Sequence, residues 1–182
     1  FKLDDYKKLI ESTQTDKDGN MVVLYATNKE AQYSYIKAAT DKGYNVLMMN
    51  GQLDSAFIGT LEQKVEKSHF VRVDSDVIEN LIKKEDTKEA DITTMQRNVL
   101  TTVFRSQIPA IEKADFTIAF AALGEESTPV VVTQSEYMRR MKEMAALQPG
   151  MSFYGDFPDS YIVTLNTNHR AVKKVMAAAG EA

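Results

Sequence analysis

The sequence predicts two structural units: a small three-layer α/β unit built on three parallel strands, followed by an α+β unit. Three observations lead to this prediction. Short apolar strands alternate with helical segments of about ten residues in the first half, which is typical of parallel sheets with helical crossovers. Strands in the second half are separated by unequal connections, which favours an α+β arrangement. Between the halves lies the polar segment KKEDTKEAD, residues 83–91, whose lack of large apolar side chains indicates a domain boundary.

The first predicted helix lies in the segment LDDYKKLIEST, where Leu3, Tyr6, Leu9 and Ile10 are expected to share one apolar face. A turn at KDGN follows, because Asp, Gly and Asn favour tight turns. The next segment, MVVLYAT, is short, apolar and contains β-branched residues, which predicts the first strand. These elements begin the α/β unit, which we predict to span residues 1–84.

The strand and helix pattern then repeats along the first unit. Asn28 is expected to cap a helix over AQYSYIKAAT that ends at Gly43, since Asn favours helix starts and Gly favours helix ends. The strand YNVLMM, the helix LDSAFIGTLEQKV and the strand HFVRV follow in order. A last helix, DVIENLIKK, is predicted to have Asp74 or Ser75 as its cap. The unit should therefore contain three parallel strands with helices packed on them.

The second unit is predicted to span residues 91–182, after a linker at residues 85–90. It begins with the helix ITTMQRNVLTTVFRSQI, which ends before Pro109, and continues with strands DFTIAFA and PVVVT. A second helix, within TQSEYMRRMKEMAALQ, precedes a loop rich in Gly, Pro and Asp. The strand SYIVTLN and a final helix capped by Asn168 complete the unit.

The helix within TQSEYMRRMKEMAALQ carries the most informative pattern in the chain. At about 100° per residue, four apolar side chains fall on one flank: Tyr137, Met138, Met141 and Met144. Arg139, Lys142 and Glu143 fall on the other flank. Arg139, Arg140 and Lys142 beside the stripe are expected to form a solvated charged face, and contact with acidic partners is the alternative. The pattern has two interpretations. Either the stripe packs against an ordinary core, or it is an exposed surface on which flexible thioethers adapt to partners of different shape.

Composition and charge argue against several classes of function. The 182 residues include no cysteine, which removes disulfides and thiolate chemistry and fits a reducing, cytoplasmic environment. The net charge is −4 with both signs intermixed, so no basic face is available for nucleic acid. No apolar run is long enough to cross a membrane or to serve as a signal peptide. Because the chain begins at Phe1, we expect it to be part of a longer protein.

Sequence motifs for catalysis are also missing. The eight glycines form neither a P-loop nor a dinucleotide-binding GxGxxG motif, and the two histidines, His69 and His169, lack metal-binding spacing. We therefore predict no catalytic, cofactor-binding or metal-binding residue. The alternative is a small-ligand or enzymatic site at the carboxyl ends of the strands within residues 27–76. Polar and glycine residues gather there, namely Asn28, Asn50, Gly51, Asp74 and Ser75, although all are also common in caps and turns.

Several segments resemble the heat-shock protein 90 family of chaperones. DKGYNVLMMNGQLDSAFIGTL resembles the small α/β subdomain that closes the family's middle domain, where a lysine and a glycine precede a strand and an acidic helix start. The segments from STPVVVTQSEYMRRMKEM to YIVTLNTNHRAVKKV resemble the family's C-terminal domain in order and spacing. FKLDDY is similar to the beginning of the last middle-domain segment. The resemblance thus covers nearly the whole chain and is closest to the bacterial form of the family.

The resemblance implies part of an ATP-dependent chaperone that binds unfolded or partly folded proteins in the cytoplasm during the stress response. In the family, ATP and magnesium bind domains that precede this segment, so the chain itself is expected to need no cofactor and to have no ATPase activity. Homodimerisation in the family rests on the last two helices of the C-terminal domain, which are expected to be missing here.

An exposed amphipathic helix of the family maps onto residues 135–147. The resemblance assigns client contact on this helix to Tyr137, Met138, Met141, Met144 and Leu147. Two other interpretations stay open at this point: the small-ligand or enzymatic domain described above, and a structural connector that binds neither ligand nor client.

Overall fold

The computed structural model describes residues 2–51, 53–147 and 158–180. It has a mixed α/β fold with two three-stranded sheets, each in its own compact unit. The first unit ends at Thr87 and the second begins at Lys88, so the division falls inside the polar segment at residues 83–91. The two units are described separately below.

The first unit contains three strands and four helices among its described residues. In chain order they are α1 (Leu3–Ile10), β1 (Met21–Ala26), α2 (Tyr33–Asp41), β2 (Val46–Met48), α3 (Asp54–Lys64), β3 (Ser68–Arg72) and α4 (Ile78–Leu81). The strand order is β2-β1-β3 and both pairings are parallel, which confirms the predicted three parallel strands. The central strand β1 therefore has a hydrogen-bonded neighbour on each side.

Strand β1 is buried because its alternate side chains belong to two different apolar clusters. Val22, Leu24 and Ala26 pack with residues of α2 and α4, including Ala39 and Leu81. The intervening Val23 and Tyr25 pack with Tyr6, Ile10 and Ile58, which lie on α1 and α3, and with Phe70 of β3. Such a continuous apolar strand is typical of a parallel sheet that is covered on both faces.

A buried glutamine joins three segments of this unit. The Gln14 side chain is fully buried. Its Nε2 donates to the Val22 carbonyl oxygen at 2.9 Å, and its Oε1 accepts from the Asn45 N–H at 2.6 Å. The amide thus fixes the chain after α1 against β1 and against the start of β2. Its nitrogen and its oxygen each have a hydrogen-bond partner, as buried polar atoms usually do.

Two details of this unit go beyond or against the sequence prediction. The apolar face of α1 is only partly buried, since Tyr6 and Ile10 are buried whereas Leu3 and Leu9 are exposed. Asn28 does not cap α2. Its Oδ1 accepts from the N–H groups of Glu30 and Ala31 in a turn, and the helix begins only at Tyr33.

The last helix of the unit is also shorter than predicted. It covers Ile78–Leu81 and follows Val77, while Asp76 Oδ1 accepts from the Val77 N–H at 2.7 Å. Neither Asp74 nor Ser75 is its cap, since Asp74 pairs with Arg72 and the Ser75 hydroxyl donates to the Arg72 carbonyl. At the end of α2, by contrast, Gly43 has φ +78° as expected for a glycine that closes a helix.

The second unit is built on a mixed sheet. Its elements are α5 (Thr94–Gln107), β4 (Ala114–Ala121), β5 (Val130–Gln134), α6 (Glu136–Leu147), β6 (Asp159–Asn166) and α7 (Arg170–Gly180). The strand order is β4-β6-β5, with β6 parallel to β4 and antiparallel to β5. The last strand in the sequence is therefore the central strand of the sheet.

The core of the second unit forms where α5 and α7 meet the sheet. Leu100 of α5 and Leu165 of β6 are fully buried, and Val175 and Met176 of α7 pack against the same cluster. Phe116 and Tyr161, which face each other across β4 and β6, stack with ring centroids 5.4 Å apart. Helix α5 begins with a capping box between Thr93 and Gln96.

The Asn166 side chain fixes the connection between β4 and β5. Its Oδ1 accepts from the N–H groups of Leu123 and Asn168, at 3.2 and 3.1 Å, and its Nδ2 donates to the Gly124 carbonyl at 2.9 Å. The Asn168 side chain donates to the Leu123 carbonyl, so it does not cap the final helix as predicted. Instead His169 Nδ1 accepts from the Ala171 N–H at 3.2 Å.

Candidate functional site

Helix α6 follows strand β5 after a single residue, Ser135, and contacts strand β6. Its sequence, EYMRRMKEMAAL, consists mainly of residues with high helix propensity and carries Glu136 in the first turn, where an acidic side chain favours the helix dipole. The Arg139 N–H donates to the Ser135 carbonyl at 3.1 Å and closes the first turn. The helix is thus set directly against the sheet of its unit.

One charged residue of α6 is buried. Arg139 is only 5% exposed. Its Nη2 lies 2.7 Å from Glu136 Oε2 and its Nη1 lies 2.6 Å from Glu143 Oε1, one turn before and one turn after. Glu136 also pairs with Arg140, whose Nε lies 2.6 Å from Oε1. Two carboxylates therefore compensate the guanidinium for the water that it loses on burial.

A second ion pair connects this helix to the sheet. Lys142 Nζ lies 2.6 Å from Asp159 Oδ1 at the start of β6, and Gln134 Nε2 of β5 reaches the same oxygen at 3.4 Å. Ala145, one turn further along α6, is buried as well. The small alanine side chain allows close approach, so α6 rests on its unit through charged and small residues.

Two of the four described residues of the apolar flank are exposed. Tyr137 is 69% exposed and Met144 is 52% exposed, while Met138 and Met141 are half-buried. The side chain of Leu147 lies outside the described residues. The prediction that the charged side chains of this helix face solvent is therefore wrong for Arg139, because its two carboxylate partners offset the free-energy cost of burying its charge.

The four described stripe residues lie on consecutive turns of one helix. Tyr137 and Met141 are four residues apart, and Met138, Met141 and Met144 follow at intervals of three. Residues at these spacings are neighbours on a helix surface. The structure thus brings the predicted residues together as one elongated apolar strip, named here the α6 stripe: Tyr137, Met138, Met141 and Met144.

The strand ends proposed as an alternative ligand site are occupied by local hydrogen bonds. The buried Gln32 side chain places its Oε1 2.8 Å from the Thr27 nitrogen and 2.9 Å from the Asn28 nitrogen, and accepts from both N–H groups. These are the backbone donors that a ligand at the end of β1 would use. The side chain of Gln32 was not recognised in the sequence as part of this region.

The neighbouring strand ends show the same behaviour. Asp54 Oδ2 accepts from the Gly51 N–H at 2.8 Å after β2, and Arg72 Nε lies 2.5 Å from Asp74 Oδ1 after β3. Within the described ranges, no group of three or more His, Cys, Asp or Glu side chains is arranged to hold a metal ion. The polar residues at this edge therefore stabilise turns, in agreement with their interpretation as turn residues.

Helix α3 carries a second exposed apolar surface that the sequence analysis did not single out. Leu53, just before the helix, is 79% exposed, and Phe57, four residues later, is exposed as well. Both were assigned to an ordinary helix that packs on the sheet. The sequence did contain an indication of this surface. The apolar residues of DSAFIGTLEQK do not recur with a helical period, so they do not all lie on the side that packs on the sheet.

Curated relatives match nearly the whole chain, whereas no protein-family model matches it. Chaperone protein HtpG of Bacteroides thetaiotaomicron is 55% identical over 176 residues, which is 97% of this chain and 26% of the relative. Chaperone protein HtpG of Bacteroides fragilis is 54% identical over 177 residues, with the same two shares. Chaperone protein HtpG of Porphyromonas gingivalis is 51% identical over 181 residues, covering all of this chain and 26% of the relative.

Identity above one half, sustained from one end of the chain to the other, shows that it corresponds to part of a chaperone protein. The chain belongs to the HtpG family, the bacterial form of the heat-shock protein 90 chaperones. This confirms the resemblance drawn from the sequence segments. The chain spans about a quarter of the length of the curated relatives it matches. None of the described helices is both long and apolar enough to cross a membrane.

Proposed function

We propose that this chain is the part of an HtpG chaperone that contacts client proteins, and that unfolded or partly folded proteins bind the α6 stripe. One observation carries the proposal. Helix α6 buries Arg139 and turns Tyr137 and Met144 outward, which is the reverse of a helix that packs through its apolar side. Contiguous exposed apolar surface on a globular protein is typical of an interaction site.

The chemistry of the α6 stripe suits clients of varied sequence. Methionine has three rotatable bonds and a polarizable thioether, so one surface adapts to apolar groups of different shape. Tyr137, which is 69% exposed, adds an aromatic ring to the three thioethers. A strip one helix wide covers little area, so each contact is expected to be weak and reversible.

We assign the remaining chaperone functions to the full-length protein. ATP and magnesium binding, ATP hydrolysis and homodimerisation in the cytoplasm are proposed for it, and no catalytic role is proposed for the residues of this chain. A dimer would present two α6 stripes to one client, and linked sites bind far more tightly than single ones. We therefore expect the 182-residue chain to hold an unfolded protein more weakly than the full-length chaperone does.

The proposal is tested by removing the thioethers and measuring binding. The variant Met138→Ser/Met141→Ser/Met144→Ser is compared with the parent chain for binding to fluorescently labelled, reduced and carboxymethylated α-lactalbumin, a permanently unfolded protein. We expect affinity roughly tenfold weaker, because three apolar contacts are lost. Thermal unfolding should show a cost below about 2 kcal/mol per substitution, since none of the three methionines is fully buried.

A matched control separates the stripe from apolar exposure in general. Met95→Ser removes a methionine that is 63% exposed on α5 of the same unit and should leave binding unchanged. Equal affinity of the parent and the triple variant would refute the proposal. A collapse of the unfolding midpoint in the triple variant would show that the stripe is core instead.

A further inference from the structure

We propose that Met138, Met141 and Met144 form a reversible oxidation site, at which conversion of the thioethers to sulfoxides weakens client binding without unfolding α6. The inference rests on the proposed client contact and adds a form of regulation to it. It follows from three features of the structure: the accessibility of these sulfur-bearing side chains, the composition of the chain, and the way in which α6 is attached to its unit.

The three methionines are open to small oxidants. Met144 is more than half exposed, and Met138 and Met141 are half-buried on the same flank of the helix. Their spacing of three residues places them on consecutive turns, so oxidation changes one continuous surface. The sequence contains nine methionines and no cysteine, so methionine is the sulfur side chain through which this chain can respond to peroxide.

The chemistry needs hydrogen peroxide as oxidant and balances without a protein group. Peroxide transfers one oxygen atom to the thioether sulfur: a sulfur–oxygen bond forms, the peroxide oxygen–oxygen bond breaks, and water leaves. The sulfur is oxidised by two electrons and peroxide is reduced. A methionine sulfoxide reductase reverses the step, in which a dithiol is oxidised to a disulfide and the sulfoxide oxygen leaves as water.

The product changes the surface in the direction that opposes binding. A sulfoxide is polar and a strong hydrogen-bond acceptor, whereas the thioether is apolar and flexible. Three sulfoxides on the α6 stripe would hold water at the positions where client apolar groups dock. Tyr137 would be left as the one unmodified member of the stripe.

The attachment of α6 explains why the helix survives this change. In a helix that packs through its methionines, sulfoxides would bring polar groups into a core and destabilise it. Helix α6 instead is joined to β6 by the ion pair of Lys142 with Asp159, and its buried side chains include Arg139 and Ala145. Oxidation therefore alters the outer flank and leaves the supporting flank as it was.

The experiment compares the parent chain before and after treatment with hydrogen peroxide, which is removed before the unfolded α-lactalbumin probe is added. We expect sulfoxides at positions 138, 141 and 144 by peptide mass spectrometry, about tenfold weaker binding, and an unchanged far-ultraviolet circular dichroism spectrum. Treatment with a mixture of the two methionine sulfoxide reductases, MsrA and MsrB, should restore the affinity.

Two variants assign the effect to its residues. Met138→Leu/Met141→Leu/Met144→Leu keeps the stripe apolar and should bind the probe equally before and after peroxide. Met95→Leu removes an exposed methionine elsewhere in the unit and should lose affinity as the parent does. Should the triple leucine variant fold poorly, the single variant Met144→Leu serves instead. After peroxide treatment it should lose less affinity for the probe than the parent does.

Three results would overturn the inference: full affinity of the parent with all three sulfoxides present, an equal loss in the triple leucine variant, or loss of helical signal on oxidation. The untreated parent distinguishes these from failure of the proposed function. If the untreated chain does not bind the probe, the proposed client contact itself is wrong, and the oxidation site falls with it. If the untreated chain binds and oxidation has no effect, only the oxidation site is wrong.

Discussion

Helices α1 and α6 have similar sequence periodicity and opposite orientation. In α1 the apolar Tyr6 and Ile10 are buried, and charged residues such as Asp5 and Lys8 are exposed. In α6 the apolar Tyr137 is exposed and the charged Arg139 is buried. The difference shows that an amphipathic pattern defines two flanks but does not say which of them faces the protein.

The orientation of such a helix depends on whether its charged side chains have partners of opposite charge within reach. Arg139 has Glu136 three residues before it and Glu143 four residues after it, both of which reach the guanidinium. Among the described residues, the charged side chains of α1 form one ion pair, between Lys7 Nζ and Asp4 Oδ1, which are 4.0 Å apart. A buried charge without such partners costs several kcal/mol, so α1 has to bury its apolar side.

The largest effect is expected from a polar substitution on the buried flank of α1. Ile10→Ser should lower the free energy of unfolding of the first unit by about 4 kcal/mol, because it removes a fully buried side chain and leaves a cavity and a hydroxyl group. Urea unfolding monitors the change. Leu9→Ser, at an exposed position of the same helix, should cost less than about 1 kcal/mol. Similar costs for the two variants would contradict the assigned orientation of α1.

The next effect depends on pH and comes from Tyr6. Burial raises the pKa of the Tyr6 hydroxyl to about 12, and this hydroxyl has no hydrogen-bond partner among the described residues. Between pH 10 and 12 the unfolded chain releases this proton while the folded chain retains it. Stability should therefore fall as pH rises through this window, by up to about 3 kcal/mol, and be unaffected below it.

Tyr6→Phe removes this titration. Urea midpoints measured at intervals from pH 9 to pH 11.5 should fall less steeply for Tyr6→Phe than for the parent. At pH 7 the variant should be as stable as the parent or slightly more stable, because it lacks a buried hydroxyl that has no partner. Parallel curves for the two proteins across this range would show that Tyr6 does not titrate as described.

The smallest effect is expected on the supporting flank of α6. Arg139→Met should destabilise the second unit by about 2 kcal/mol, because Glu143 loses its partner while Glu136 keeps Arg140. Arg105→Met, at an exposed position on α5, is the matched control and should change stability by less than about 0.5 kcal/mol. If Arg139→Met proved as mild as Arg105→Met, the ion pairs would not be what supports α6.

Most strands were predictable from sequence because each is a short apolar run bounded by turn residues. MVVLYAT and SYIVTLN correspond to β1 and β6 within one residue at either end. Helix starts were less predictable, since a capping residue and a turn residue have the same side-chain chemistry. Asn28 bonds the backbone two and three residues on, as a cap would, yet α2 begins only at Tyr33.

The sequence predicted which residues form the candidate site, but it did not show which side chains of the helix are exposed. Periodicity alone grouped the residues of the α6 stripe, and resemblance to the chaperone family suggested that they face outward. The partners of Arg139 are local in sequence, whereas the contact of this helix with the sheet required knowledge of tertiary packing, because Lys142 pairs with Asp159, seventeen residues away in sequence. The order of the second sheet was also not predicted, since β4 and β5 are consecutive in sequence but are not neighbours in the sheet.

The order of the second sheet has a consequence for synthesis of the chain on the ribosome. In the first unit β1 and β2 pair directly, so its sheet can begin to form before β3 is made. In the second unit β4 and β5 each pair with β6, which is translated after both. The two earlier strands therefore remain unpaired apolar segments until β6, which ends at residue 166, has left the exit tunnel. During that interval this segment of a chaperone is itself an unfolded chain of the kind that chaperones bind.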